Sequence, residues 1–402
     1  MISDKQIADR VALDINSGYW KVHDKFFFSK ADCLSYASSV RTNDVTFHFF
    51  DEFYNSLNWD LEPLESLDEL YRKRAEQLRN QYDYIIVAYS GGADSSTVID
   101  SFLNNGIHLD EIVTSYPIKA IDKLKHLFDP LDRSPKNLMF EYTEAVKPKL
   151  QYINEKFPKT KVTVLDHTES AIELINSNNL HMLPISGFGA APSLAGHYLI
   201  GQRVREISEK HKKVCFLIGI DKPRVGYNIK SNKFGIFFDD VSTCWGHHTD
   251  VSLAGYQPTT EYFFYSLDMP SILIKQSHSI VNRVKPIINE IENFSLNEIN
   301  DLYFKKGDNL IFKVHHNFFK KIIYPNWDVN VFQAGKPSSF FFQESAYWFT
   351  NSSLTDKRTK QYHLGQVLES CDDINDNFIV KSKDGIPLKF VDMTTRPILV
   401  CS

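Results

Sequence analysis

Four short apolar runs constrain this chain more than any other feature. "YIIVAYS" (84–90), "EIVTSYP" (111–117), "KVTVLDH" (161–167) and "VCFLIGI" (214–220) are rich in β-branched residues, and the first and last are apolar almost throughout. Between them lie the helical stretches "STVIDSFLNN", "NLMFEYTEAVKPKLQYINEKF" and "LAGHYLIGQRVREISEKHKK". Continuous apolar strands read as buried on both faces, and strands alternating with amphipathic helices read as crossover units. The pattern predicts an α/β fold, a parallel twisted sheet with helices on both faces.

At 402 residues the chain exceeds one ordinary core, so further units are expected around that sheet. We divide it into an N-terminal α/β region (1–80), a central domain that holds the four runs (81–290) and a β-rich C-terminal region (291–402), the flanking regions being α+β. In the first, "VTFHFFDEFY" (45–54) is a candidate strand. "PLESLDELYRKRAEQLRNQ" (63–81) has helical period, with Leu64, Leu67, Leu70 and Tyr71 on one face and Ser66 and Glu69 spaced as a capping box. Beyond the fourth run, "FGIFFDD" (234–240) and "EYFFYS" (261–266) are candidate strands. Residues 269–294 read as a helix that Pro286 should break. Near the end, "DINDNFIVKSKDGIPLKFVDM" carries the turn signals of a hairpin.

Composition excludes some classes. The formal net charge of −5 lacks the basic footprint of a dedicated nucleic-acid binder. The clusters "EKHKK" (209–213) and "KVHHNFFKK" (313–321) read as solvated faces. "MISDKQIADR" has neither the basic start nor the apolar core of a signal peptide. No apolar run approaches the ~20 residues that span a bilayer. The five cysteines (Cys33, Cys215, Cys244, Cys371, Cys401) are scattered without a CxxC pair, as expected of reduced thiols in a cytoplasmic protein.

The first run ends in "SGGADSS" and passes directly into a helix. Gly91 and Gly92 permit positive φ and close backbone approach. The first helical turn then presents N–H groups and its positive dipole end, to which the hydroxyls of Ser90, Ser95 and Ser96 add donors. That set suits phosphate or pyrophosphate. Asp94 would repel phosphate unless a divalent cation lay between them, so its presence implies Mg²⁺ shared with phosphate oxygens. No Lys follows the glycines, so this is not a Walker A loop, and no GxGxxG is present. The alternative is a strand-to-helix turn whose glycines serve packing alone.

The string resembles the SGGxDS loop of the N-type ATP pyrophosphatases, the PP-loop superfamily, which includes asparagine synthetase, GMP synthetase and NAD synthetase, over residues 80 to about 225. The resemblance implies an adenine nucleotide alpha-hydrolase-like fold and cleavage of ATP between its α- and β-phosphates. A substrate carbonyl or carboxylate would be adenylylated, and an amine or other nucleophile would then displace AMP. Ser90, Gly91, Gly92, Ser95 and Ser96 would cradle the pyrophosphate, and Asp94 would hold Mg²⁺.

Charge builds on a leaving pyrophosphate, and a cationic clamp is its usual stabiliser. "GIDKPRVGY" (219–227), after the fourth run, offers Lys222 and Arg224, either as that clamp or as two surface cations. "LPISGFGAAPSLAGHYLIG" (183–201) is another glycine-rich turn into a helix, either a ligand-closing loop or a plain connection. Cys244, His247, His248 and Asp250 are potential metal ligands, but adjacent histidines converge poorly on one ion, and a polar loop is favoured. "YPNWDVNVFQAGKPSSFFF" and "KRTKQYHL" are polar-aromatic mixtures without an assignment.

The chain also departs from named branches. Ile2 follows Met1 where glutamine-hydrolysing asparagine synthetases carry a mature N-terminal Cys, and "DKPRVGY" replaces their acidic "DELFGGY"-like segment. The expected partners are ATP and a small-molecule acceptor. Nucleic acid is not favoured, no membrane is expected, and homo-oligomerisation is left open. Two rival readings are a modifier of tRNA or DNA bases that uses the same adenylylation, and a nucleotide-binding protein without chemistry.

Overall fold

A computed structural model of the chain describes residues 19–27, 36–37, 39–42, 44–119, 141–170, 191–219, 222–228, 233–238, 259–290, 304–306, 311–314, 322–324, 379–381, 387–389 and 398–400. The chain opens with β1 (Tyr19–Val22), β2 (Lys25–Phe27) and β3 (Val45–His48), an antiparallel sheet in the order β2-β1-β3. The predicted strand over 45–54 is thus only half strand. Asp51 accepts a bond from the Phe49 N–H (3.1 Å) and pairs with His48 (2.5 Å), and Phe50 takes a left-handed φ of 48°. Helix α1 (Asp51–Ser56) follows at once. A local side-chain bond to the backbone has won over β propensity there.

Helix α2 (Leu67–Gln81) starts at the expected capping box: Ser66 Oγ accepts from Glu69 N–H at 3.3 Å, and Glu69 Oε2 from Ser66 N–H at 2.8 Å. Leu67, Leu70 and Tyr71 are buried as the period predicts, whereas Leu64, ahead of the cap, is fully exposed. Then come β4 (Tyr84–Ala88), α3 (Ala93–Leu103), β5 (Glu111–Tyr116), a π-turn at Glu141–Val146, α4 (Lys147–Lys156), β6 (Lys161–Asp166), α5 (Ala191–Ser208) and β7 (Val214–Ile218). The hairpin strands β8 (Arg224–Asn228) and β9 (Lys233–Phe237), then β10 (Thr259–Tyr262) and α6 (Ser271–Glu290), complete the central part.

The central sheet is parallel throughout, in the order β10-β7-β4-β5-β6. This bears out the α/β expectation. Its middle strand carries Ile85, Ile86 and Val87 with no exposed surface, each stabilising by about 1.5–3 kcal/mol relative to an exposed side chain. From β4 the chain steps outward through β5 to β6, then returns across β4 to β7. Right-handed crossovers therefore put α3 and α4 on one face and α5 on the other. In keeping with this, α3 packs on β4 and α2, and α5 packs on β5, β6 and β7. The reversal makes a crevice at the carboxyl ends of β4 and β7, the place where open parallel sheets bind ligands.

Pro286 lies inside α6 rather than ending it. Burial of Ile280, Val281 and Val284 on the packed face offsets the ~3 kcal/mol that an interior proline costs. Past α6 the described residues are strands β11 (Phe304–Lys306), β12 (Ile311–Val314), β13 (Ile379–Lys381), β14 (Pro387–Lys389) and β15 (Ile398–Val400), and the segment 322–324. β13 and β14 form the expected hairpin. A second sheet, antiparallel, has the order β11-β12-β8-β9-β15, so strands from both sides of residue 290 share it. Among the described residues, no helix is long and apolar enough to cross a membrane.

Candidate functional site

The loop after β4 occupies that crevice. Tyr89 N–H donates to Val113 O at 2.8 Å, carrying the ladder one residue beyond the strand. Gly91 then takes φ 80°, the left-handed region that costs a side-chain-bearing residue about 1–2 kcal/mol. Gly92 is the N-cap of α3 and has no side chain to cap the first-turn N–H groups. The Gly92 N–H itself lies 3.4 Å from Ser90 Oγ, and first-turn N–H groups without a side-chain cap are suited to an anion.

The serines hold the loop in shape. Ser95 Oγ accepts from Ser90 N–H (3.2 Å), lies 3.2 Å from Ser90 Oγ and donates to Gly92 O (3.3 Å). Tyr116 OH, at the end of β5, donates to Ser90 O at 3.0 Å. Ser95 is buried, Ser96 half-buried and Ser90 exposed. Ser95 thus shapes the loop from below while Ser90 faces outward.

From the other side of the crevice, the end of β7 presses on the same turn. A Cβ placed on Gly219 would lie 3.0 Å from Ser95 N and Cα and from Val98 Cγ2. A side chain there would force the turn to give by a few tenths of an ångström, so a glycine lets that strand end pass closest to the helix. Three residues on, Lys222 is 2% exposed and its ammonium donates to both oxygens of Asp94, at 3.0 and 3.1 Å. Tyr265 OH donates to Lys222 O at 2.6 Å and fixes its backbone. Lys222 is the cation whose side chain meets Asp94; Arg224 opens β8 opposite Phe237 and is half-buried.

Tyr324 is the residue that sequence reasoning missed. Its hydroxyl donates to Asp94 Oδ1 across 230 positions of sequence. It is the first residue of the polar-aromatic stretch left unassigned above, and neither spacing nor period could have linked it to the loop. A second pair went unnoticed at the carboxyl ends of β5 and β6: Ser115 Oγ lies 2.8 Å from Nδ1 of the buried His167. Gly196 of α5 seats against it, since a Cβ there would come within 2.9 Å of His167 Nδ1. This pair ties the two strand ends together.

Asp94 is 26% exposed on its side chain. Among the described residues Oδ1 takes two donors and Oδ2 one, which leaves room for a further ligand. No group of three or more His, Cys, Asp and Glu gathers among the described residues to hold a metal by protein ligands alone. A single carboxylate sharing Mg²⁺ with phosphate oxygens needs no such group. The donors at Gly91–Gly92, the hydroxyls and the partly exposed carboxylate fit that arrangement. Residues 183–190 of the glycine-rich turn and the Cys244, His247, His248, Asp250 group lie outside the described residues. No protein-family model matches the chain, and no curated protein sequence matches it.

Proposed function

We propose that the chain is an ATP pyrophosphatase-type enzyme of the PP-loop kind, with an adenine nucleotide alpha-hydrolase-like central domain, and that it adenylylates a small-molecule carbonyl or carboxylate. The observation that carries this reading is the Asp94–Lys222 pair at the mouth of an uncapped, glycine-lined helix start, in the crevice between β4 and β7. A Walker-type loop would not place a carboxylate in the first helical turn facing the phosphates.

The chain's own residues divide the work. The backbone at Gly91 and Gly92 and the hydroxyls of Ser90 and Ser96 hold the β- and γ-phosphates, the pyrophosphate-to-be, while the buried Ser95 keeps that loop in shape. Asp94 would hold Mg²⁺, which would supply charge neutralisation to the phosphates. Lys222 and Asp94 pair with one another, ammonium to carboxylate. With nucleotide present, the ammonium would turn to the phosphate oxygens and leave the carboxylate free to hold the cation, so neither charge would be stranded. The acceptor oxygen attacks the α-phosphorus, the bond to the β-phosphate breaks, and pyrophosphate leaves with its new charge beside Lys222. Arg224 is the second cation of that clamp. An amine or other nucleophile then displaces AMP.

Phosphorus NMR of the full chain with Mg·ATP and a small-molecule cell extract tests this. AMP and pyrophosphate should appear with the wild type and be absent with Asp94→Ala. ADP and phosphate would overturn the reading. Binding of nucleotide with no product from any extract fraction would replace it with that of a nucleotide-binding protein.

A further inference from the structure

Tyr324 reaches Asp94 from a part of the chain far outside the loop, and its placement is over-determined. Its side chain is 1% exposed, and its ring lies 5.5 Å from that of Phe264. The carbonyl of the preceding residue, Ile323, accepts from Tyr71 OH of α2 at 2.6 Å. Tyr71 OH in turn accepts from Gln276 Nε2 of α6 at 2.8 Å. Tyr71 of α2, itself held by Gln276 of α6, therefore anchors the backbone at Ile323, and the next residue delivers its phenol hydroxyl to one oxygen of the loop carboxylate. A core tyrosine needs a partner for its hydroxyl. It does not need the one carboxylate in the phosphate loop.

We propose that Tyr324 is a positioning residue for the Mg²⁺ site, so that the C-terminal part of the chain completes a site the PP-loop segment cannot finish alone. This inference rests on the function proposed above. Lys222 bonds both oxygens of Asp94, and in the function proposed above it would turn to the phosphates when nucleotide binds. Tyr324 is then the donor that stays. It keeps Oδ1 occupied and the carboxylate plane fixed, and it leaves Oδ2 as the oxygen that meets the cation.

The test is Tyr324→Phe in the full chain, which keeps the ring and its packing on Phe264 and removes only the hydroxyl. Binding of α,β-methylene-ATP is followed calorimetrically across a Mg²⁺ titration. The Mg²⁺ concentration for half-maximal enhancement should rise about tenfold, the scale of a lost hydrogen bond to a charged group. Affinity for the nucleotide without Mg²⁺ should not change. On an Asp94→Asn background the same substitution should have no further effect, because the hydroxyl acts through the carboxylate. A purely structural tyrosine would lower thermal stability and leave the Mg²⁺ midpoint alone. An unchanged midpoint beside a Mg²⁺-dependent wild type overturns this proposal and spares the functional reading. A wild type whose nucleotide binding ignores Mg²⁺ overturns both.

Discussion

The two edges of the parallel sheet both bury a carboxylate with a cation, and they differ in one respect. At the amino edge, Glu111 opens β5 with no exposed surface. Its Oε1 accepts from Thr163 (2.6 Å) and Arg203 Nε (2.8 Å), and its Oε2 from Tyr84 (2.7 Å) and Arg203 Nη2 (2.8 Å). Four donors fill a carboxylate's acceptor sites, and the two-pronged arginine fixes its plane. Burial alone would raise the Glu111 carboxyl, but the Arg203, Thr163 and Tyr84 bonds outweigh it and hold it below the ordinary value. At the carboxyl edge Asp94 has its lysine and its tyrosine, a quarter of its side chain exposed, and an acceptor site to spare. A saturated buried pair is closed to chemistry. An unsaturated one in the crevice of a parallel sheet can still take a ligand.

Glu111→Ala should have the largest effect, and on stability alone. It takes two of the bonds of the Arg203 guanidinium and leaves it only the exposed Glu206 (2.8 Å), and should cost about 3 kcal/mol in urea unfolding while nucleotide affinity in the folded fraction holds. The same pair predicts an acid limb. The unfolded carboxyl titrates near 4.5 and the folded one lower, so its stabilisation is complete above 4.5 and is lost as pH falls through the lower folded value. Glu111→Gln should flatten that limb in acid-unfolding curves.

Lys222→Met, at the other edge, should reverse the pattern. AMP formation should fall about 10²–10³-fold, the cost of losing a charge-stabilising donor, with little change in the urea midpoint. A variant that unfolds as readily as Glu111→Ala but turns over normally would erase the distinction between the edges. Gly219→Ala should fall between, at ~1–3 kcal/mol, because the methyl must push on Ser95 and Val98, and it should also weaken nucleotide binding. Tyr84→Phe should be the mildest. It removes one of four donors to Glu111, about 1 kcal/mol by thermal melts, with no kinetic effect.

The loop was legible because everything that makes it is local. The left-handed φ at Gly91, the bare N-cap at Gly92 and the hydroxyls of Ser90 and Ser95 are set within one strand-to-helix turn. The four strands were legible from their β-branched runs, and the start of α2 from its capping box, for the same reason. Errors arose where a local signal met tertiary packing or a competing local bond. Asp51 cut the expected strand short, and the packed face of α6 carried the helix through Pro286.

What the sequence by itself determined is the α/β pattern, the glycine turn from strand to helix and the carboxylate in that helix's first turn. Only the tertiary structure decided that the strands run β10-β7-β4-β5-β6, so that the loop falls at the reversal. It also decided that Lys222 is the cation that meets Asp94, and that Tyr324 joins them from 230 residues away. Turn conformation and periodicity are properties of a few consecutive residues. Strand order and convergence on one carboxylate depend on which distant surfaces bury each other, and no spacing along a single chain encodes that.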